Sequence, residues 1–281
     1  MVEKHKEAVV YNSRGLEKDK TQDVEGAIVD FDKAIQLSPG DAIVYNNRGN
    51  AKGRKRDYDG SIVDFDRAIQ LDPTCSEAYC NRGISKERKQ DYEGAIADFD
   101  QAIHLNLRLP ALFDSRASLR NANGDLAGAL ADYNQAILLS GDDSTARFFR
   151  HLILRQLGRA GEDDLSTEVA QWKEGWSKAI GLFLCGNISE AEFRQRATLR
   201  TELDKKVQSC QLNYYIGMAY LIEGRLIEAK NEFRDCQASG LSDRLEFTLA
   251  NAQLLTMAKQ PALVSLPNIK AAPQVTVVSY K

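Results

Sequence analysis

The segment YNNRGNAKGRKRDYDGSIVDFDRAIQLDP, residues 45–73, occurs four times in related form. Its opening YNNRG has counterparts in YNSRG at Tyr11, YCNRG at Tyr79 and FDSRA at Phe113, and neighbouring copies start 34 residues apart. Its second half recurs as VEGAIVDFDKAIQLSP, YEGAIADFDQAIHLNL and LAGALADYNQAILLSG. A fixed period of this length predicts a row of similar structural units, each of which buries its apolar face against its neighbours.

Four positions of the unit carry a constant type of side chain: small, small, aromatic and small. They are Gly15, Gly49, Gly83 and Ala117; Ala27, Ser61, Ala95 and Ala129; Phe31, Phe65, Phe99 and Tyr133; and Ala34, Ala68, Ala102 and Ala136. This pattern resembles the tetratricopeptide repeat, a 34-residue unit of helix, turn and helix. The resemblance implies an all-α fold, a right-handed superhelical solenoid of helix pairs, in which small residues allow close helix approach and aromatic residues fill the gaps.

The repeat pattern also divides the chain into segments. We predict four regular repeats within residues 1–141, approximately 8–41, 42–75, 76–109 and 110–143, then degenerate helix pairs at 144–209, a further repeat at 210–243, a capping helix at 244–258 and a non-helical, flexible tail at 259–281. Within the degenerate pairs, Trp172 and Trp176 are expected on one face of a helix, because they are four residues apart. Ser189 is expected to cap the next helix, because Glu192 follows it three residues later.

The stretch from Trp176 to about residue 255 resembles the C-terminal half of bacterial tetratricopeptide lipoproteins of the NlpI type, through CGNIS, C-x4-YY-IG-x2-Y and EF-x2-C. Those proteins are membrane-tethered adaptors that dock a processing protease and cell-wall hydrolases. The resemblance suggests that Cys210 and Cys236 lie side by side at the ends of a helical hairpin, where a disulfide would form in an exported protein. The alternative interpretation is that all five cysteines are free thiols.

The repeats depart from the usual family pattern by placing basic residues at two positions of the first helix. These are Arg14, Arg48, Arg82 and Arg116, followed by Lys18, Lys52, Lys86 and Arg120. Aspartates recur at the same period in the second helix: Asp30, Asp64, Asp98 and Asp132, with Asp32, Asp66 and Asp100 two residues later. One interpretation is a basic ladder for an acidic partner; the other, which we favour because the charges match one for one, is a structural ladder of Arg–Asp pairs.

The family resemblance places first-helix side chains along a concave groove. The polar residues expected there are Asn12, Asn46, Asn47, Asn50, Asn81 and Asp114. Asparagine amides can donate to and accept from the backbone of an extended peptide, although they could equally well contact only water. A chaperone-tail clamp is not expected, because Leu16 and Glu77 stand where that subtype needs Asn and Lys.

Composition and motifs narrow the function further. A net charge of -3 does not favour nucleic acid as the main partner, and no apolar run is long enough to span a bilayer. No phosphate loop, HExxH, GxSxG or zinc-type Cys/His spacing occurs, so we expect no enzyme activity, no cofactor and no metal. The opening MVEKHKEAVV has no export signal, which favours a cytoplasmic location; the alternative is the bacterial periplasm or outer membrane, if a signal has been removed.

The sequence therefore favours an adaptor or scaffold that binds a peptide or partner protein on the concave groove. Two alternatives stay open at this point. The first is an envelope lipoprotein-like regulator of proteolysis or cell-wall hydrolases, and the second is a structural module that forms homo-oligomers.

Overall fold

The computed structural model describes residues 2–141, 144–197, 202–241 and 245–259. These residues form fifteen α-helices and a short 3₁₀ turn at Ala160–Glu162, which confirms the predicted all-α class. The helices are α1 (Val2–Lys20), α2 (Val24–Leu37), α3 (Ala42–Arg54), α4 (Tyr58–Leu71), α5 (Ser76–Arg88), α6 (Tyr92–His104), α7 (Pro110–Ala122), α8 (Leu126–Ser140), α9 (Ser144–Gln156), α10 (Leu165–Gln171), α11 (Trp176–Leu184), α12 (Glu190–Arg196), α13 (Glu202–Ile222), α14 (Leu226–Ala238) and α15 (Leu245–Lys259).

The chain divides into two compact units, residues 1–150 and 151–281. Unit 1 contains four helix pairs in chain order: α1 with α2, α3 with α4, α5 with α6, and α7 with α8. Each pair also packs on the next one, which is the solenoid arrangement that the repeat pattern predicts.

Aspartate starts the second helix of every pair in unit 1. The side chains of Asp23, Asp57, Asp91 and Asp125 accept hydrogen bonds from the backbone N–H three residues further on. Aspartate is a preferred residue at this position because its carboxylate satisfies an N–H that the helix leaves without a partner.

The turn before these caps requires a backbone conformation that favours glycine. Gly124 adopts a positive φ of 83° in the fourth pair, whereas Gln22, Arg56 and Gln90 adopt φ values of 67°, 63° and 65° at the same position. A side chain in this left-handed region costs about 1 kcal/mol. Three of the four turns within the helix pairs of unit 1 therefore carry local strain.

The two helices of a pair meet where a small residue faces an aromatic ring. A Cβ atom at Gly49 would lie 2.7 Å from Cε1 of Phe65, and a Cβ at Gly83 would lie 2.7 Å from Cε1 of Phe99. Both rings are fully buried. The recurring glycine is thus explained by close packing, as the sequence predicts.

Neighbouring pairs share their cores. Val44 and Ala51 of α3 lie in one apolar cluster with Phe31 and Ala34 of α2. The next pair therefore covers the aromatic layer of the previous one, which is why a single pair would leave apolar surface exposed.

In unit 2 the prediction for the two tryptophans is wrong. Helix α10 ends at Gln171, Trp172 is its C-cap, and α11 begins at Trp176 after Gly175 as N-cap. The two side chains thus belong to different helical elements, because the short loop at 172–175 interrupts the spacing of four.

Other features of unit 2 match the sequence. Ser189 and Glu192 form a capping box at the start of α12. A Cβ at Gly217 of α13 would lie 2.7 Å from Cε1 of Phe233 of α14, the same close contact as in unit 1. Helix α13 starts at Glu202, earlier than the predicted repeat start at 210. Lys259 ends α15, and the rest of the predicted tail lies outside the described residues.

Candidate functional site

The recurring arginines are held in the interface between the two helices of a pair. Nε and Nη2 of Arg48 donate to the two carboxylate oxygens of Asp64 at 2.9 and 2.5 Å, and Nη1 donates to Asp32 of the preceding pair at 2.6 Å. Asp64 is buried and also binds Lys52 Nζ at 2.8 Å. Arg48 thus links its own pair to the one before it.

The other pairs repeat this geometry. The buried carboxylate receives a two-point contact from arginine and a further cation: Arg14 and Lys18 on Asp30, Arg82 and Lys86 on Asp98, and Arg116 and Arg120 on Asp132. Arg82 and Arg116 also reach back, to Asp66 at 2.6 Å and Asp100 at 2.5 Å. This is the geometry that the structural interpretation of the ladder predicts.

These contacts shift the pKa values of the aspartate and arginine side chains. The hydrogen bonds from Arg14 lower the pKa of Asp30 to about 2. Burial alone would lower the pKa of Arg48, but its bonds to Asp64 and Asp32 outweigh burial and raise it. Arg48, Arg82 and Arg116 each contact two aspartates, which leaves little of their charge for an acidic partner. The Arg14 side chain is 54% exposed and contacts Asp30.

A second face of the first helices carries the predicted asparagines. Asn47 Nδ2 of α3 donates to Asn12 Oδ1 of α1 at 3.0 Å, and Asn81 Nδ2 of α5 donates to Asn46 Oδ1 of α3 at 3.1 Å. Each bond spans 35 residues, one repeat plus one residue. The amides therefore form a regular row across successive first helices.

Apolar side chains lie in the same row. Leu16 of α1, Asn50 of α3 and Ile84 of α5 occupy the same repeat position, and both Leu16 and Ile84 are exposed. Ile43 is exposed one helical turn before Asn46 and Asn47. We call this surface the asparagine face, and we define it by Asn12, Leu16, Ile43, Asn46, Asn47, Asn50, Glu77, Asn81, Ile84 and Asp114.

The remaining predicted residues of this face differ in their surroundings. Asn50 and Asp114 are half-buried, and the backbone carbonyl of Asp114 accepts a hydrogen bond from Ser118 Oγ at 2.8 Å. Glu77 is exposed. An acidic side chain here, where a chaperone-tail clamp would need lysine, is unfavourable for a carboxylate ligand.

Unit 2 contains a comparable row that the sequence did not reveal. Trp176 Nε1 donates to Gln211 Oε1 at 2.7 Å, and Gln211 Nε2 donates to Glu246 Oε1 at 2.9 Å, again at spacings of 35 residues. Trp176 and Gln211 also line an open cavity of about 990 Å³, together with Glu174, Arg196 and Gln208 among others. Only the spacing of 35 could have signalled this row, because the residue types differ at each step.

The structure joins Cys210 and Cys236, both fully buried, in a disulfide with a Cα–Cα distance of 4.1 Å. This is the pairing that the NlpI-type resemblance suggests. Cys80 and Cys185 are free, and burial raises the pKa of each thiol to about 11. These two thiols are consequently poor nucleophiles at neutral pH.

Chemical sites are sparse in the part of the chain that the structure describes. No cluster of three His, Cys, Asp or Glu side chains there has the arrangement of a metal site. His151 is buried between Asp163, at 2.5 Å from Nδ1, and the carbonyl of Leu184, at 3.1 Å from Nε2. Among the described helices, none combines the length and apolarity that a bilayer crossing requires.

Two adjacent segments of unit 1 match a known protein family. The family described as tetratricopeptide repeat matches residues 42–75 and 76–107. No curated protein matches the sequence significantly.

Solved structures resemble the chain at low sequence identity. A tetratricopeptide repeat protein from Parabacteroides merdae ATCC 43184 aligns with a TM-score of 0.60 and 12% identity over 89% of this chain and 99% of that one. A MamA protein aligns with a TM-score of 0.53 and 18% identity, over 67% and 97% of the two chains. MamA residues 41 to the end from Desulfovibrio magneticus RS-1 give 0.51 and 13%, over 56% and 88%. At these identities the likeness concerns the fold alone. The matches identify residues 42–107 as tetratricopeptide repeats, and the described residues share the fold of tetratricopeptide-repeat proteins.

Proposed function

We propose that the chain is an adaptor that binds an extended peptide segment of a partner protein along the asparagine face of unit 1. The observation that carries the proposal is the row of amides, Asn12 with Asn47 and Asn46 with Asn81, beside the exposed side chain of Ile84. Under this proposal the chain positions its partner and performs no chemistry itself.

The chemistry of the row suits a peptide backbone. An asparagine amide has two N–H donors and a carbonyl that can accept two hydrogen bonds. The bond between Asn47 and Asn12 uses one donor and one acceptor site, so both amides retain capacity for a ligand. An extended peptide presents N–H and C=O groups along its length and needs such partners when it leaves water.

The apolar residues suit the side chains of the same peptide. In an extended chain, successive side chains point to opposite sides, so every second one can contact the face. Leu16 and Ile84 offer apolar contacts on either side of Asn50 in the row. Burying one leucine-sized ligand side chain against either of them would contribute at most roughly 1.5 to 3 kcal/mol.

The test begins with peptides selected from a random display library against the intact chain. The dissociation constants of the best peptides are then measured by calorimetry for wild type, for the double variant Asn47→Ala/Asn81→Ala and for Ile84→Ser. Both variants should weaken binding at least about tenfold, the equivalent of about 1.4 kcal/mol. Asn134→Ala, an exposed asparagine on α8, is the matched control and should bind like wild type. Selected peptides that bind all four proteins equally would exclude this face.

A second proposal concerns location. The buried Cys210–Cys236 disulfide favours an oxidising compartment, such as the bacterial periplasm. Under this proposal the adaptor acts in the cell envelope. Material exported to a periplasm, denatured, and alkylated before and after reduction should gain two labels at these positions only after reduction. Labelling of both cysteines without reductant would rule the proposal out.

A further inference from the structure

The open cavity of unit 2 combines an aromatic ring with one polar face of a helix. Four residues of α13 line it, Asp204, Val207, Gln208 and Gln211, and their spacings of three and four place them on the same face of that helix. Trp176, the first residue of α11, lines the cavity as well and is half-buried. These groups have no counterpart on the asparagine face of unit 1.

Hydrogen bonds fix the orientation of the Gln211 amide. The indole N–H of Trp176 can only donate, so it must face the oxygen of the amide, which lies 2.7 Å from Nε1. On the other side of the amide, Nε2 donates to the buried Glu246 at 2.9 Å. A carbonyl oxygen can accept two hydrogen bonds, so Oε1 of Gln211 retains one acceptor position beside the indole ring.

Gln208 lies one helical turn before Gln211 and offers a second acceptor. Its Oε1 is buried, and the described residues provide no hydrogen-bond donor for it. A buried acceptor without a donor is unfavourable, and such atoms in folded proteins normally have a partner. A ligand with several N–H donors would satisfy the two amide oxygens together.

The charged side chains of the cavity favour a cation. Three carboxylates line it against one guanidinium: Glu174, Glu192 and Asp204, and Arg196. Lys178 binds Glu174 at 2.8 Å, whereas Glu192 accepts from the neutral N–H and hydroxyl of its capping box. The lining therefore keeps an excess of negative charge, which disfavours an anionic ligand.

We propose that this cavity binds the guanidinium group of an arginine side chain from a partner protein. A guanidinium is planar, carries five N–H donors and no acceptor, and stacks on aromatic rings. Phe193 packs on one face of the Trp176 ring, with 5.2 Å between the centroids and 11° between the planes, so the arginine stacks on the other face. Its N–H groups donate to Oε1 of Gln208 and of Gln211, and the carboxylates of the lining supply the opposite charge.

The experiment adds the tripeptide acetyl-Gly-Arg-Gly-amide to the intact, isotope-labelled chain, up to about 20 mM because a single side chain binds weakly. Matched peptides carry citrulline, the neutral isostere of arginine, or lysine or glutamate in its place. The readout is the NMR signal of the Trp176 indole N–H, which Trp172→Phe assigns because the chain has two tryptophans. Arg200 lies outside the described residues, and the titrations are repeated with Arg200→Ala so that this arginine cannot compete with the probe.

Two variants change the chemistry of the cavity. Gln208→Glu keeps the size of the side chain and adds a negative charge at the buried acceptor, and Asp204→Asn removes one negative charge. Their controls are Gln237→Glu and Asp235→Asn, which change exposed residues of α14 outside the cavity lining. Circular dichroism checks the fold of every variant.

We expect the arginine peptide to shift the Trp176 signal saturably, with a dissociation constant in the millimolar range, and the citrulline and lysine peptides to bind at least about threefold more weakly. Gln208→Glu should tighten arginine binding at least about threefold, and Asp204→Asn should weaken it about twofold or more. The two controls should bind like wild type. The unit 1 variant Asn47→Ala/Asn81→Ala should also do so, which separates a failure of this site from a failure of the asparagine face.

Three results would overturn the proposal. The first is the absence of a saturable shift of the Trp176 signal with the arginine peptide, both in wild type and in Arg200→Ala. The second is a citrulline or lysine peptide that binds as tightly as the arginine peptide, or arginine binding that Gln208→Glu leaves unchanged. The third is tighter binding of the glutamate peptide, because Arg196 would then make the cavity an anion site.

Discussion

Replacing Arg48 by methionine removes the link between the first two helix pairs while keeping most of the volume of the side chain. The arginine donates three hydrogen bonds, two to Asp64 at 2.9 and 2.5 Å and one to Asp32 at 2.6 Å. The two aspartates differ in burial: the side chain of Asp64 is 2% exposed, whereas that of Asp32 is 46% exposed. The substitution thus separates a buried contact within a pair from an exposed contact between pairs.

The expected cost follows from these environments. Removing one partner of a buried ion pair typically costs about 3 to 5 kcal/mol, because the other charge stays buried. Lys52 remains at 2.8 Å from Asp64 and compensates part of the loss, so we expect Arg48→Met to lower the free energy of unfolding by about 2 to 3 kcal/mol. Most of this loss in the free energy of unfolding should come from the contact with Asp64, since an exposed pair such as that with Asp32 contributes less than about 1 kcal/mol.

Two double-mutant cycles measured by urea unfolding test this division. One combines Arg48→Met with Asp64→Asn, and the other combines it with Asp32→Asn. The coupling free energy should be about 2 kcal/mol in the first cycle and below about 1 kcal/mol in the second. Arg14→Met is the internal control and should cost less than Arg48→Met, because Arg14 is more exposed and contacts a single aspartate among the described residues. A larger coupling to Asp32 than to Asp64 would refute the reasoning.

The remaining predictions concern the turns, the packing and the acid stability of unit 1. Arg56→Gly should raise the free energy of unfolding by about 0.5 to 1 kcal/mol, because it relieves a φ of 63°; an unchanged or lower denaturation midpoint would contradict this. Gly83→Ala should lower it by about 1 to 3 kcal/mol, because the new Cβ would lie 2.7 Å from the ring of Phe99, and a crystal structure should show the ring displaced. The pKa of Asp30 is lowered from 3.8 to about 2. Its ionised form therefore adds up to about 2 kcal/mol to the free energy of unfolding above pH 4, and this contribution is lost as the pH falls through about 2. Urea titrations from pH 5 to pH 2 should show this loss in wild type and a smaller one in Asp30→Asn.

The fold could be predicted from the sequence because the residues that determine it recur in one register. A small residue and an aromatic residue recur in every copy of the unit at the positions of Gly83 and Phe99, and the period alone places them on neighbouring helices. In contrast, the loop between Trp172 and Trp176 could not be predicted, because a spacing of four residues is equally compatible with a helix and with a break. Helix boundaries are harder to predict in a segment that has no second copy elsewhere in the sequence.

The candidate site was predictable in part. The asparagines of the face were visible because they recur on first helices, and the charge balance indicated Arg–Asp pairs. Contacts between pairs were not visible, since they depend on how one pair packs on the next: Arg48 takes its second partner from the preceding repeat, and Asn47 bonds to a residue 35 positions earlier. These contacts join residues that are not 34 positions apart, so the 34-residue period of the sequence does not reveal them.

The central claim, that the asparagine face of unit 1 holds a partner peptide, is tested most directly by hydrogen–deuterium exchange of the chain with and without a selected peptide. The account predicts slower exchange in α3 and α5, which carry Asn46, Asn47 and Asn81, and unchanged exchange in the second helices α4 and α6. Protection confined to α4 and α6, or to unit 2, would contradict it.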